Sequence, residues 1–524
     1  MNLASLADTH PAGGRALFDG GRWHTWGEVR GRVRAVARGL GGLGVGPDDR
    51  VAIVWPTSVD FVVAYLGVLA AGAVAVPLNP NSPANEIGRE IEVVEPRVVL
   101  AGVPGTGAPH LVLPAALATA SAGSPPTWEE LSASGDGGVG GAGGSGGAGG
   151  HGGGDSIAAV ERRPEDLAVL LFTSGTAGEP KAAMLSHGNL LANLRQMLGV
   201  PDIFGADDVG LVALPLFHVF GLNVAVGLGL ATGAPLVLET RFDPADSLAA
   251  VRELGVTTLL GVPTMFAAWA DAPPSADQAN GADAADGAGH PLVALRRAIS
   301  GAAALDPDVA ARFEQRYGVP VWQGYGMTEA SPAVSTSLGT GRNRPGSVGR
   351  PLPGVEVRVV DEAGEEVLAG DPGEIWVRGA NVFGGYWHDP ASTAAVLTPE
   401  GWLRTGDVGV VGDEGDLFVV ERFKDLVIVS GFNVFPGEVE RVLAAVPGVA
   451  EAVVVGHPDP TTGEAVQAVI VAAPGATVDE GEVRAHCAAN LARYKCPTSI
   501  RFVDALPRGL AGKALRRALR QQST

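Results

Sequence analysis

The chain has 524 residues, 46% of them hydrophobic and 18% charged, a composition that supports sizeable buried cores and argues against global disorder. Acidic residues outnumber basic ones 57 to 37, for a net charge of −20, which counts against partnership with nucleic acid or an anionic membrane surface. Only four of the basic residues are lysines, Lys181, Lys424, Lys495 and Lys513, so these positions are worth following wherever a compact ammonium is needed.

The opening segment MNLASLADTHPAGG has no basic or apolar stretch of the secretory kind, so no signal peptide is expected. The uncharged run from Phe61 to Leu78 approaches membrane-spanning length. It contains Gly72 and Pro77 and stands alone, so it reads as a buried helix over about 60–71 followed by a buried strand at 74–78. From 50 to 325 short β-rich runs (51–55, 74–78, 167–172, 211–216, 235–239, 257–261, 296–300) alternate with helical patterns such as 244–255 and 306–318. That alternation predicts largely parallel sheets covered by helices. Between 346 and 420 strands crowd together with Gly-containing turns (355–361, 374–379, 416–423), as in an antiparallel sheet or small barrel. The last hundred residues predict a small α+β domain, with helices at 436–445 and 478–492 and strands near 452–456, 466–472 and 499–504.

Two stretches read as insertions. Residues 135–154 hold 14 glycines in 20 and cannot build a core, which places a flexible insertion at about 134–155; 272–290 is rich in Ala, Asp and Gly. GGSGG at 143–147 formally matches a nucleophile elbow but lacks the strand and helix that an elbow needs. Cys487 and Cys496 are too few for a disulfide framework or a four-cysteine zinc site and read as core thiols, consistent with a reducing, cytoplasmic setting.

The strongest local signal is LLFTSGTAGEPKAAMLSHGNL (170–190). A strand ending at Phe172 leads into Thr173, Ser174, Gly175, Thr176, Gly178 and Lys181. Hydroxyls and glycine amides can wrap phosphate oxygens there, with lysine supplying charge. Walker A is excluded, because Pro180 precedes the lysine and the next helix begins near Ser186. A plain Gly/Ser/Thr turn is the competing reading.

TSGTAGEPK resembles the phosphate loop of the adenylate-forming superfamily, which includes acyl- and aryl-CoA synthetases, luciferases of the firefly type and peptide-synthetase adenylation domains. Further segments follow in that family's order: LPLFHVFGL (214–222), SGAAAL (300–305), WQGYGMTEASP (322–332), SVGRPLPG (347–354), PGEIWVRG (372–379), GYWHDPAST (385–393), GWLRTGDVG (401–409), ERFKDLVIVSGFNVFPGEVE (421–440) and LPRGLAGKALRR (506–517). The likeness spans about residues 15–520. It implies an α/β protein with a large N-terminal domain (1–423) of two helix-covered, mostly parallel sheets plus a barrel-like subdomain, and a mobile small α+β domain (424–524). Ala177, Ala182 and Glu421 depart from the family's frequent residues without removing an essential donor or charge.

The resemblance also implies roles. Glu329 would hold Mg2+ with a phosphate-loop hydroxyl such as Thr173, since hard cations take oxygen ligands. Gly301, Ala302 and Ala303 would wall the adenine, Tyr325 would stack on it, and Gln323, Gly324, Gly326, Met327 and Thr328 belong to the same nucleotide loop. Asp407 would accept both ribose hydroxyls, with Arg422 nearby. His218 would lie near the reacting carboxylate, although LPLFHVFGL also suits a core histidine. Lys424 would be the hinge, Gly431 and Phe432 would face the CoA pantetheine, and Lys513 would meet the carboxylate and α-phosphate. Ordinary surface or turn roles compete at each of these positions.

The expected activity is ATP-dependent, AMP-forming ligation of a carboxylic acid to CoA with Mg2+. SGFNVFPGEVE and PLFHVFGLN most resemble medium- or long-chain fatty acyl-CoA ligases. An aryl acid, loading of an acyl-carrier protein, and a non-catalytic ATP- or acyl-AMP-binding regulator are the alternatives. A transporter is disfavoured by the single long apolar run. A monomer or homodimer, with peripheral membrane contact left open, completes the expectation.

Overall fold

A computed structural model describes residues 1–102, 109–112, 128, 132, 156–173, 180–273, 292–422, 427–429, 432–434, 436–459, 462–491, 493–508 and 516–521. The glycine-rich tract and most of 272–290 lie outside them. Two compact units emerge: Met1–Val357 with Val377–Leu403, and Arg358–Trp376 with Arg404–Thr524.

In the first unit a six-stranded sheet runs in the order Pro109–Val112, Val98–Gly102, Arg50–Val54, Val74–Leu78, Leu167–Thr173, Lys181–Ser186. Its inner pairs are parallel and its outer pairs antiparallel. The apolar run lies here as expected. Val59–Ala70 is a helix buried on nearly every face and capped by Ser58, and Val74–Leu78 is a fully buried strand. Among the described residues no helix is long and apolar enough to cross a membrane.

A second sheet contains a parallel run of Val321–Gly326, Arg297–Ser300, Thr258–Gly261, Gly210–Val212, Leu236–Leu238 and Arg15–Asp19. Antiparallel neighbours flank it at both ends: Ala333–Thr336 and Ser347–Pro351 on one side, Arg22–Thr25 on the other. Capping sets its covering helices. Pro244–Leu254 starts after Asp243 and stops at left-handed Gly255, and Pro307–Tyr317 starts after Asp306 and stops at Gly318. The strand expected over 211–216 is shorter, Gly210–Val212; the chain leaves it through Leu214–His218 to enter the π-helix Phe220–Gly227.

In the second unit Leu417–Arg422 pairs antiparallel with Leu403–Val411. A five-stranded sheet follows, in which the edge strand Val449–Asp459 and its neighbour Gly463–Ala472 form the longest pair. Helices Pro436–Ala444 and Glu480–Asn490 seal it through Val439, Leu443, Val483 and Cys487. Cys487 is buried there and Cys496 is half-buried, and the two do not form a disulfide; burial raises the pKa of both, Cys487 to about 11. Lys495 Nζ reaches both carboxylate oxygens of Glu438, at 2.8 and 2.7 Å, which gives this lysine a structural partner.

His187 opens the helix His187–Leu198, which Ser186 caps in a reciprocal box with Asn189. It is fully buried, and its Nδ1 accepts the Leu3 amide at 3.2 Å. Burial, aided by Arg162, holds its pKa down to about 4 from 6.5. Between those values the unfolded chain binds a proton that the folded one refuses. The stability this neutral imidazole contributes is therefore full above pH 6.5 and is lost as pH falls towards 4. His187→Asn keeps an acceptor but cannot titrate. Urea denaturation at pH 7 and pH 4 should show the wild type losing about 3 kcal/mol relative to the variant; equal losses would contradict the assignment.

Candidate active site

Thr173 and Lys181, the first and last of the phosphate-loop candidates, pair across the open end of a hairpin, where a strand followed by a helix is the sequence-based expectation. Leu167–Thr173 pairs antiparallel with Lys181–Ser186, and Thr173 lies directly across from Lys181. Thr173 Oγ1 is 3.5 Å from the Lys181 carbonyl oxygen. Ser174, Gly175, Thr176 and Gly178 lie outside the described residues. The helix expected near Ser186 begins at His187. The KAAMLS strand between loop and helix had no separate signal in the sequence.

The second sheet supplies the other half. Its parallel strands end along one edge, with Gly261 in register with Ser300 and Ser300 with Gln323. Loops at the carboxyl ends of parallel strands are where α/β proteins bind ligands. Gly301, Ala302 and Ala303 leave that edge, and Ala302 has φ +69°, a left-handed conformation costly for a residue with a side chain and a common feature of functional sites. A Cβ on Gly301 would stand 3.2 Å from the Phe220 ring, so glycine there lets that ring lie against the backbone. Gln323 is buried, and its Oε1 accepts the Leu305 amide at 3.3 Å, bracing this loop. Gly324, Tyr325, Gly326, Met327 and Thr328 follow it, all half-buried.

His218 precedes Phe220 on the same edge. It keeps a solvent-exposed surface, yet surrounding protein atoms desolvate it enough to hold its pKa below the ordinary imidazole value. Its exposure sets it apart from a satisfied core histidine, which its apolar setting also suits. It is therefore mostly neutral at pH 7.

Glu329 lies in the short turn Thr328–Ala330 and is only 7% exposed. Tyr386 donates its phenol to Glu329 Oε1 at 2.7 Å; among the described residues nothing donates to Oε2. Lys181 Nζ lies 5.5 Å from the centre of the Tyr386 ring and 2.5 Å from Ser392 Oγ. Lys181 and Glu329, 148 positions apart in sequence, thus touch a common side chain. Tyr386 and Ser392 belong to GYWHDPAST, to which the sequence attached no role. A lone carboxylate, oriented through one oxygen and open at the other, fits Mg2+, which takes one or two protein carboxylates and fills its remaining positions with water and substrate phosphates. No cluster of three or more His, Cys, Asp and Glu occurs among the described residues, so a metal cage of protein side chains alone is not found there.

In the second unit Asp407 is buried and in register with Arg422 on the neighbouring strand. Its backbone is fixed: the Asp407 amide donates to Thr405 Oγ1 at 3.1 Å, Thr405 Oγ1 donates to the Ile375 carbonyl at 2.7 Å, and the Gly406 amide donates to Glu374 Oε1 at 3.0 Å. Phe432 opens the strand Phe432–Val434. Lys424, Gly431 and Lys513 lie outside the described residues.

The profile of the AMP-binding enzyme family matches residues 3–387, and that of its C-terminal domain matches 438–513. The chain belongs to the AMP-binding enzyme family. Among AMP-binding enzymes it is similar to a feruloyl-CoA synthase from an Amycolatopsis species, 37% identical over 97% of this chain and 95% of the relative. A long-chain-fatty-acid–CoA ligase of Bacillus subtilis is 31% identical over 92% and 87%. The crystal structure of ATP-bound MatB from Rhodopseudomonas palustris superposes with a TM-score of 0.85 at 33% identity, covering 99% and 98% of the two chains. The fold expected from the sequence, two helix-covered, parallel-rich sheets followed by a small C-terminal α+β part, is that of these adenylate-forming enzymes. Acyl-CoA ligases of this AMP-binding family use ATP, Mg2+ and CoA.

Proposed function

We propose that this adenylate-forming ligase joins a hydrophobic monocarboxylic acid to CoA in two half-reactions. The observation that carries this reading is the convergence of Lys181, at the mouth of the phosphate-loop hairpin, and Glu329 on Tyr386. In the first half-reaction a carboxylate oxygen of the acid attacks the α-phosphorus of ATP. The bond to the bridging oxygen breaks, leaving acyl-AMP and pyrophosphate. Thr173, Ser174, Gly175, Thr176, Gly178 and Lys181 hold the phosphates. Gly301–Ala303, Gln323–Thr328, Asp407 and Arg422 hold the nucleoside. Glu329, with Thr173, holds Mg2+, which neutralises phosphate charge when bound. Lys513 meets the negative charge that builds at the α-phosphate. Positioning and charge stabilisation supply most of the rate in such phosphorus chemistry.

The small domain, 424–524, then turns about Lys424 relative to 1–423, with the hinge backbone absorbing the change. Gly431 and Phe432 come to face the CoA arm. The CoA sulfur attacks the acyl carbonyl, the carbon–oxygen bond to AMP breaks, and the thiol proton passes to solvent. Neutral His218 borders the acid and is a positioning group rather than a general base.

Two observations separate the acyl groups. SGFNVFPGEVE resembles the fatty acyl enzymes, whereas the feruloyl-CoA synthase match is higher in identity and coverage than the fatty acyl one. Phe217 and Phe220, on either side of His218, offer flat faces to a planar acid, and we rank an aryl acid ahead of a medium- or long-chain fatty acid. Pyrophosphate release with Mg-ATP and a panel of aryl, fatty, short and dicarboxylic acids tests this. The expected order is aryl, then fatty, with CoA as acceptor ahead of an acyl-carrier protein by product analysis. A dicarboxylic preference would contradict the apolar reading, and silence across the panel would favour a nucleotide-binding regulator.

A further inference from the structure

The segment 383–393 forms a strap between the two sheets of the first unit. It runs antiparallel along Lys181–Ser186, the edge strand of the six-stranded sheet: the Gly384 amide donates to the Met184 carbonyl at 3.2 Å, the Met184 amide to the Gly385 carbonyl at 2.9 Å, and the Trp387 amide to the Ala182 carbonyl at 2.8 Å. At its start the Phe383 amide donates to the Glu329 carbonyl at 2.9 Å. One short segment therefore ties the lysine strand to the turn carrying the candidate metal carboxylate. Its own shape is fixed. The Tyr386 amide donates to Thr393 Oγ1 at 2.9 Å, and Gly385, at φ +122°, sits where a Cβ would be 2.5 Å from Thr393 Cγ2.

We propose that Tyr386 is a positioning residue for acyl-AMP formation: its hydroxyl fixes the Glu329 carboxylate so that Oε2 is presented to Mg2+, and its ring holds the Lys181 ammonium at the phosphates. The proposal rests on the nucleotide-site reading above. Two features carry it. First, Lys181 and Glu329 make no ion pair with each other; the ring stands between them. A direct pair would neutralise both groups, and phosphate and cation would have to break it. A ring face attracts an ammonium without cancelling its charge, and Ser392 Oγ is likewise a neutral acceptor. Second, only one carboxylate oxygen of Glu329 is engaged, by an uncharged donor, which leaves the other open to the cation. Partners that orient a metal-binding carboxylate commonly govern metal affinity by about 10–100-fold.

Binding of Mn2+–ATP, followed by electron paramagnetic resonance, reads the metal site without turnover. Tyr386→Phe keeps the ring and deletes the hydroxyl. It should weaken Mn2+–ATP binding roughly ten-fold or more, and raise by a similar factor the Mg2+ concentration giving half-maximal pyrophosphate release. Thioester formation from supplied acyl-AMP should stay at the wild-type rate. Tyr386→Leu should in addition raise the KM for ATP by roughly 2–30-fold, through loss of the ring face at Lys181. Glu329→Gln separates the two levels of the argument. If it weakens Mn2+–ATP binding while Tyr386→Phe does not, the positioning role is overturned and the nucleotide-site reading stands. If Glu329→Gln binds Mn2+–ATP like the wild type, both fall. Equal loss of both half-reactions in Tyr386→Phe would mark a merely structural tyrosine and overturn the proposal.

Discussion

Lys513→Ala is expected to slow acyl-AMP formation by about 10²–10³-fold, the scale on which removal of one preorganised charge or donor from a developing oxyanion acts. Displacement of pyrophosphate concentrates negative charge around the α-phosphorus, and an ammonium delivered there acts only in that half-reaction. Conversion of supplied acyl-AMP and CoA to thioester should therefore proceed near the wild-type rate. The residues flanking Lys513 are anchored on the second unit. Arg508 pairs with Glu451 on the strand Val449–Asp459. Arg516 places one nitrogen 2.8 Å from both oxygens of Glu440, which also accepts the Val454 amide of that strand at 2.7 Å. Rapid-quench measurement of each half-reaction checks the Lys513 prediction, and equal loss in both would contradict the role.

Asp407→Asn should raise the KM for ATP by roughly 10–100-fold, the cost of a charge-assisted hydrogen bond at about 1.5–3 kcal/mol. A carboxylate can accept from both ribose hydroxyls at once, whereas an amide turns one of its two positions into a donor. The side chain is buried and its backbone is held by Thr405 and Glu374, so the substitution removes chemistry while leaving the turn in place. With 2′-deoxy-ATP the wild type should lose part of its affinity and the variant little more, because the two deletions remove the same contact. Additive losses would place Asp407 away from the ribose.

Much of this architecture was legible because it is written locally. The strand-helix alternation over 50–325, the buried helix and strand near 60–78 and the C-terminal helices follow from hydrophobic periodicity and from caps such as Asp243, Asp306 and Gly318. The boundaries that shifted have local physical causes. The strand starting at Gly210 ends at Val212 because the chain turns through Pro215 into a π-helix. Lys181–Ser186 escaped notice because KAAMLS has no clean two-residue alternation and becomes a strand only by pairing with Leu167–Thr173 and the strap. The site shows the same division. The local loop pointed to Thr173 and Lys181, and the family resemblance to Glu329 and Asp407, one at a time. The contacts of Tyr386 with Glu329 and Lys181 are tertiary, made by residues far apart in sequence, and no periodicity records them. Lys495, which had no reading as a sequence position, finds Glu438 only once the small domain is folded.

In the proposed reaction the acid is activated by attack of its own oxygen on the α-phosphorus. An acid labelled with 18O in both carboxyl oxygens tests it most directly, in a complete reaction with Mg-ATP and CoA followed by mass spectrometry of the products. One labelled oxygen is expected in the phosphate of AMP and the other in the thioester carbonyl. Label in inorganic phosphate with ADP as the nucleotide product, or AMP formed without label, would contradict it.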